Sequence, residues 1–177
     1  MFRLLLVTTL ALIISVSARA ELIPLPYCGN AFVQARYIPL TTQQLAMRGV
    51  RMAQAIRDPI TAEYLILFDY QLLENASPSY QLSVFMHECA HHKFGHTPFP
   101  MRPISVEVRR QQEKDADCFS MEAVKDSGAT TAQLDEIYQS IYQFMTKYNS
   151  VTNGRTAYSS PLWTAQERVA HAKQCLQ

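Results

Sequence analysis

This 177-residue chain has no excess of charge of either sign: 16 Lys and Arg stand against 15 Asp and Glu, for a formal net charge of +1. That balance removes the electrostatic basis for binding a nucleic-acid backbone or an anionic membrane surface. Internal repeats and low-complexity linkers are also missing, which leaves a single domain over residues 21–177 as the simplest organisation. With 48% hydrophobic residues, that domain has material for one proper core. A second long apolar run is absent as well. The first, Leu4 to about Val16 in "MFRLLLVTTLALIISVSARA", follows one Arg and ends in the small-x-small site Ala18-Arg19-Ala20. It is short for a spanning helix and reads as a cleavable secretory signal peptide over residues 1–20. No Cys directly follows it, which argues against a lipid-modified N-terminus. The expectation is a secreted or periplasmic chain with no stable membrane insertion after cleavage.

Cysteine is sparse: only Cys28, Cys89, Cys118 and Cys175 occur, all beyond the leader. An even count in an exported chain suggests two disulfides, for which three connectivities exist.

Helix signals dominate what is present. Thr41 and Gln44 form a capping box, and Leu45, Met52, Ala53 and Ile56 then fall on one face, predicting a helix that Asp58-Pro59 stops. "AEYLILFDYQLL" (62–73) is apolar and free of Gly and Pro, and predicts a strand. Ser77-Pro78 starts a second helix with an apolar stripe of Leu82, Phe85, Met86, Cys89 and Ala90, ending near Gly95. Further helices are expected from Ser105 to Ser127, from Thr130 with Gln133, and from Thr164 with Glu167. The fold class is therefore α+β, mostly helical, with a small sheet.

Histidine is scarce but concentrated: four of five lie in "VFMHECAHHKFGH" (84–96). His87 and His91 are four apart on one helix, so both rings leave the same face and can bind one ion. Glu88 lies beside them as a general base that could move a proton without ligating. The stripe with Cys89 lies on the opposite side, so the histidines face a cleft. Glu113 and Asp117, again four apart, stand on the next predicted helix. Glu113 supplies a third ligand and leaves a fourth position open, as a catalytic zinc requires. Asp117 is placed to accept the other N–H of a ligating imidazole. Glu107 ranks second as third ligand because no acid follows it four positions on. Asp115 is expected to face solvent, and His92 and His96 are not expected to ligate. The favoured disulfides are Cys89–Cys118, joining the two ligand-bearing helices, and Cys28–Cys175, tying the ends.

His87-Glu88-x-x-His91 with Glu113-x-x-x-Asp117 resembles the gluzincin metallopeptidases. Within them the chain is most similar to the CaaX-prenyl-protease-like family, with its HtpX-type and BepA-type members. "EKDADC" resembles that family's E-x-x-A-D segment, His96 matches a further His five positions on, and "SPLWTAQERVAH" resembles its closing segment. Here the chain departs from the pattern: Ser160 stands where the family has a His before Pro161. The resemblance implies a zincin-like domain holding one Zn²⁺ per chain through His87, His91 and Glu113, with Glu88 as base. It places Arg168 near the reacting centre as a transition-state contact, with His171 and Tyr158 as alternative oxyanion stabilisers. It also implies a protein or peptide substrate along the edge of strand 62–73. Two other readings stay open: a non-catalytic zinc-stabilised binding or chaperone module, and a zinc amidase acting on a non-protein substrate.

Overall fold

Three strands pair into one sheet: β1 (Ala35–Leu40), β2 (Ala53–Arg57) and β3 (Tyr64–Asp69), in the order β1-β3-β2. β1 runs parallel to β3 and β2 antiparallel to it. The structure is a computed structural model that describes residues 28, 35–47, 52–100, 102–152 and 163–177, with side chains in the helix ending at Thr152 described through Lys147. The signal-peptide segment 1–20, Tyr158, Ser160 and Pro161 lie outside the described residues.

β3 takes the centre because its residues are apolar on both faces. Leu65 through Asp69 are all buried, as a strand covered on both sides requires. It ends earlier than the sequence predicts. Asp69 accepts from the Leu72 amide at 3.0 Å and caps a single turn, α2 (Tyr70–Leu73).

The helix expected up to Asp58 is helical only at its start, and its last part is strand. Its capping box is real, with Thr41 and Gln44 bonded reciprocally at 2.9 and 3.2 Å, but α1 spans only Thr42–Met47. Leu45 then packs on Leu65 and Leu67, and the chain returns as β2. The spacing of Met52, Ala53 and Ile56 fits a helix. Pairing the open edge of β3 satisfies a row of backbone groups that a helix would leave bare, and that decides the outcome.

The remaining helices begin where their caps predict. α3 (Pro78–Lys93) is capped by Ser77, whose side chain accepts from the Tyr80 amide, with Pro78 in the first turn. α4 (Val106–Asp126) is capped by Ser105. α5 (Thr131–Thr152) follows the Thr130–Gln133 pair, and α6 (Ala165–Gln174) carries the complete Thr164–Glu167 box.

Phe85 of α3 stands edge-on to Phe68 and Tyr37, at centroid distances of 5.3 and 5.5 Å, fastening the helix to the sheet. His92 adds a polar pin: Nε2 lies 3.0 Å from the Leu65 carbonyl and Nδ1 3.0 Å from Thr97 Oγ1. A second core of Tyr80, Met121, Val124, Ile137, Tyr138 and Ala172 joins α3 to α4, α5 and α6.

Two disulfides are present, but not the favoured pair. Cys28 bonds Cys89, and Cys118 bonds Cys175. Cys89 packs with Ile66 and Tyr37 of the sheet, whereas Cys118 lies against His171 of α6. The two cysteines thus point to different neighbours, so a Cys89–Cys118 bridge has no path. The loop closed by Cys118–Cys175 spans 57 residues and that by Cys28–Cys89 spans 61, lengths at which closure stabilises by about 2–4 kcal/mol each. Among the described residues no helix is long and apolar enough to cross a membrane. The disulfides are consistent with an oxidising, exported compartment.

Candidate metal centre

α3 and α4 pack so that their two i, i+4 pairs face each other. His87 Nε2 lies 3.2 Å from His91 Nε2 and 3.3 Å from Glu113 Oε2. Glu113 Oε1 is 3.6 Å from His91 Nε2. These three donors lie within 4.8 Å of one another and could hold a metal ion. Cys118, His171 and Cys175 form a second group of equal compactness. Its sulfurs are bonded to each other, however, and a disulfide offers no thiolate.

The orientation of His87 is fixed from behind. Asp117 Oδ1 lies 2.9 Å from His87 Nδ1, so Nε2 is the nitrogen that faces the donor group. Asp117 is itself held by Arg168 through two bonds, Nε to Oδ2 at 2.9 Å and Nη2 to Oδ1 at 2.7 Å. The guanidinium also reaches Glu113 Oε2 at 3.6 Å. Arg168 is therefore brought to the cluster, but as a clamp on Asp117.

His171 is not brought there. Its Nε2 contacts the Lys114 carbonyl at 3.3 Å and the Cys118 sulfur at 3.5 Å, and its ring tilts against Trp163 at 5.2 Å. None of these belongs to the donor group, so the oxyanion role expected for His171 has no support in the geometry. Glu107 is exposed in the first turn of α4, two turns from Glu113, and drops out as a ligand.

Glu88 is buried, and its Oε2 accepts from the Ala55 amide of β2 at 2.6 Å. That bond follows from the alternation of an antiparallel ladder. Asp69 N–H donates to the Met52 carbonyl, and Asp58 N–H to the Glu63 carbonyl. Even-numbered positions of β2 thus turn their backbone to β3, and Ala53, Ala55 and Arg57 turn theirs outward. Strand 62–73, expected to offer an edge to a peptide, is flanked on both sides by β1 and β2 and has none to offer. The strand beside Glu88 is β2, which the sequence had read as helix.

Charge explains why a cation suits this cluster. Glu88, Glu113 and Asp117 place three carboxylates around one guanidinium, two positive charges short of neutrality. A divalent ion supplies that amount. Without one, a proton substitutes. Burial favours a neutral His87, but the hydrogen bonds and charges of Asp117 and Glu113 outweigh it and push His87 up to about 10. Burial, with the charge on His87 beside it, holds His91 down to about 3. Burial opposes ionisation of Glu113, yet the hydrogen bond and charge of His87 bring it down to about 2. Burial raises Glu88 above the usual carboxylate range, against the pull of His87 and the Ala55 amide.

The metal-free chain therefore has an alkaline liability. A folded-state pKa raised from 6.5 to about 10 gives His87 a stabilising contribution that is complete below 6.5 and is lost as pH rises through about 10. Chelator-treated protein is expected to unfold at lower urea at about pH 9 than at pH 6.5, and a saturating divalent metal to remove most of that difference. Equal midpoints without metal would show that His87 carries no such proton.

Two features of the site escaped sequence reasoning. The Ala55 amide is a backbone group and carries no side-chain signature. His96, not expected to ligate, lies outside the three-donor group, but its Nδ1 is 3.1 Å from His91 Nδ1. Gly95, which ends α3, was the available signal.

The chain matches no protein-family model, no curated protein and no solved structure.

Proposed function

We propose that the chain is an exported zinc-dependent metallopeptidase with a zincin-like domain of the gluzincin type. The observation that carries this reading is the convergence of His87 Nε2, His91 Nε2 and a Glu113 carboxylate oxygen, with Glu88 one residue along the same helix. Two imidazoles and one carboxylate are a donor set suited to zinc that leaves a position open. Bound there, the ion would supply Lewis acidity toward a carbonyl and lower the pKa of water toward neutrality.

The chain's own residues supply the rest. Glu88, made less acidic by burial, is better suited than an exposed carboxylate to take up a proton and return it. Its hydrogen bond to Ala55 fixes the carboxylate against the sheet, so the base needs no reorganisation before it acts. Asp117 keeps the His87 proton on Nδ1, and Arg168 keeps Asp117 ionised and immobile. The outward backbone groups of Ala53 and Arg57 on β2 suit an extended peptide that adds as a further strand. This favours unfolded protein segments as substrate.

Metal analysis and cleavage of an unfolded test protein are the deciding experiment. One zinc per chain is expected, with cleavage lost on chelation and restored by zinc. A zinc-loaded chain that cleaves no protein but opens cell-wall amides would make it an amidase. One that cleaves nothing would leave the zinc-stabilised binding module.

A further inference from the structure

The two candidate ligand histidines have different partners behind them. His87 has a carboxylate, that of Asp117, and His91 has another histidine. The turn that ends α3 brings this about. The Gly95 amide bonds the His92 carbonyl at 3.1 Å, and the His96 amide bonds the His91 carbonyl at 2.8 Å. This pair of bonds closes a helix with its next residue left-handed, and Gly95 has φ +72. The six-to-one bond lays His96 directly over the turn that carries His91. The rings meet at 5.3 Å between centroids and 64° between planes, with Nδ1 facing Nδ1 at 3.1 Å. The His96 side chain is only 9% exposed, so water does not readily replace it as partner.

Tautomers follow from this contact. His91 can present a lone pair on Nε2 to an ion only if its ring proton is on Nδ1. That N–H points at His96 Nδ1, which must then be bare, so the His96 proton lies on Nε2. Asp115 Oδ2 lies 4.0 Å from that nitrogen, beyond hydrogen-bond reach but on the side where its negative charge favours the Nε2 proton. The Asp115 side chain itself is largely open to solvent, as expected, and bonds Gln111 of its own helix.

We infer that His96 is a positioning residue for the metal centre: it accepts the His91 Nδ1 proton and thereby fixes His91 Nε2 as the ligating atom. This rests on the metal-centre reading proposed above. His96 need not bind the ion, and its removal leaves three donors in place. The role differs from that of Asp117 in kind, because a neutral acceptor orients His91 without adding negative charge behind it.

The test compares zinc affinity, by competition with a chromogenic chelator, in the full chain and in His96→Phe, His96→Gln and His91→Ala. Phe keeps a ring of similar size and removes the acceptor. Gln restores an acceptor oxygen. His96→Phe is expected to bind zinc about 10- to 100-fold more weakly, as loss of such a partner does elsewhere, and His96→Gln to recover most of that loss. The cobalt-substituted His96→Phe protein is expected to keep the wild-type visible band intensity, since the ligand count is unchanged. Wild-type affinity in His96→Phe overturns the inference and leaves the metal centre intact. A Gln variant as weak as Phe, or a changed cobalt band, overturns it in favour of packing or direct ligation by His96. A wild-type chain that binds no zinc, or a His91→Ala chain that binds it undiminished, removes the metal-centre reading and this inference together.

Discussion

Glu88→Gln should keep its zinc and lose peptide hydrolysis, with kcat falling about 10²- to 10⁴-fold, the range a positioned proton-transfer group contributes. The amide is nearly isosteric, and its oxygen can still accept from Ala55, so the link to β2 survives and only the proton acceptor is removed. KM should change little, because Glu88 lies beside the donor group and is not expected to hold the peptide. The mutant thus separates chemistry from positioning. A second variant, Glu88→Ala, removes both and should fall at least as far. It also empties a buried position, so its folding is checked by circular dichroism. Zinc content decides what a loss of activity means: activity lost with one zinc retained identifies a proton-transfer role, whereas zinc lost along with activity makes Glu88 part of the metal cage. Full cleavage by Glu88→Gln would sink the proposed mechanism.

Arg168→Met has the largest expected effect on stability. Asp117 has a side chain only 6% exposed, and Arg168 supplies two of its hydrogen bonds and its balancing charge. Removing one partner of such a pair strands the other, at a cost of about 3–5 kcal/mol. Met keeps the aliphatic bulk of the arginine, so little of the loss should come from packing. Arg168→Lys should recover only part of it, since an ammonium cannot make the two-pronged contact. Urea titration of the metal-loaded protein is the measurement, with an unchanged slope as the sign that only stability moved. Arg168 was expected from the family resemblance to meet the transition state. A variant that unfolds like wild type but loses kcat would restore that role and refute the clamp.

The helices and the i, i+4 pairs on them were legible because their causes are local. A cap and its partner are three residues apart, as with Thr41–Gln44, Ser105–Val108 and Thr164–Glu167. A helix face is set by spacing alone, so His87 pairs with His91, and Glu113 with Asp117, from the sequence. Spacing made Asp117 a candidate partner for a histidine, and the packing of α3 on α4 made the contact with His87.

What failed was non-local. Residues 53–57 carry a pattern compatible with helix or strand, and only the open edge of β3 selects strand. That one misreading also hid Ala55 and put the expected substrate edge on the central strand. The disulfides join positions 57 and 61 apart, and their pairing depends on which neighbour each helix face meets. A cysteine's side of its own helix is readable, but the element packed against that side is not. Arg168 and His171 show the same limit. Both lie on α6, three residues apart, yet one grips the cluster and the other rests against a disulfide and a tryptophan.

The sequence by itself determined the α+β class, the helix starts, and the pairing of His87 with His91 and of Glu113 with Asp117, because hydrogen bonding and spacing within a few residues suffice for each. Only the tertiary structure decided the strand beside Glu88, the bridges Cys28–Cys89 and Cys118–Cys175, and the clamp by Arg168. Those depend on which surfaces meet when the core closes.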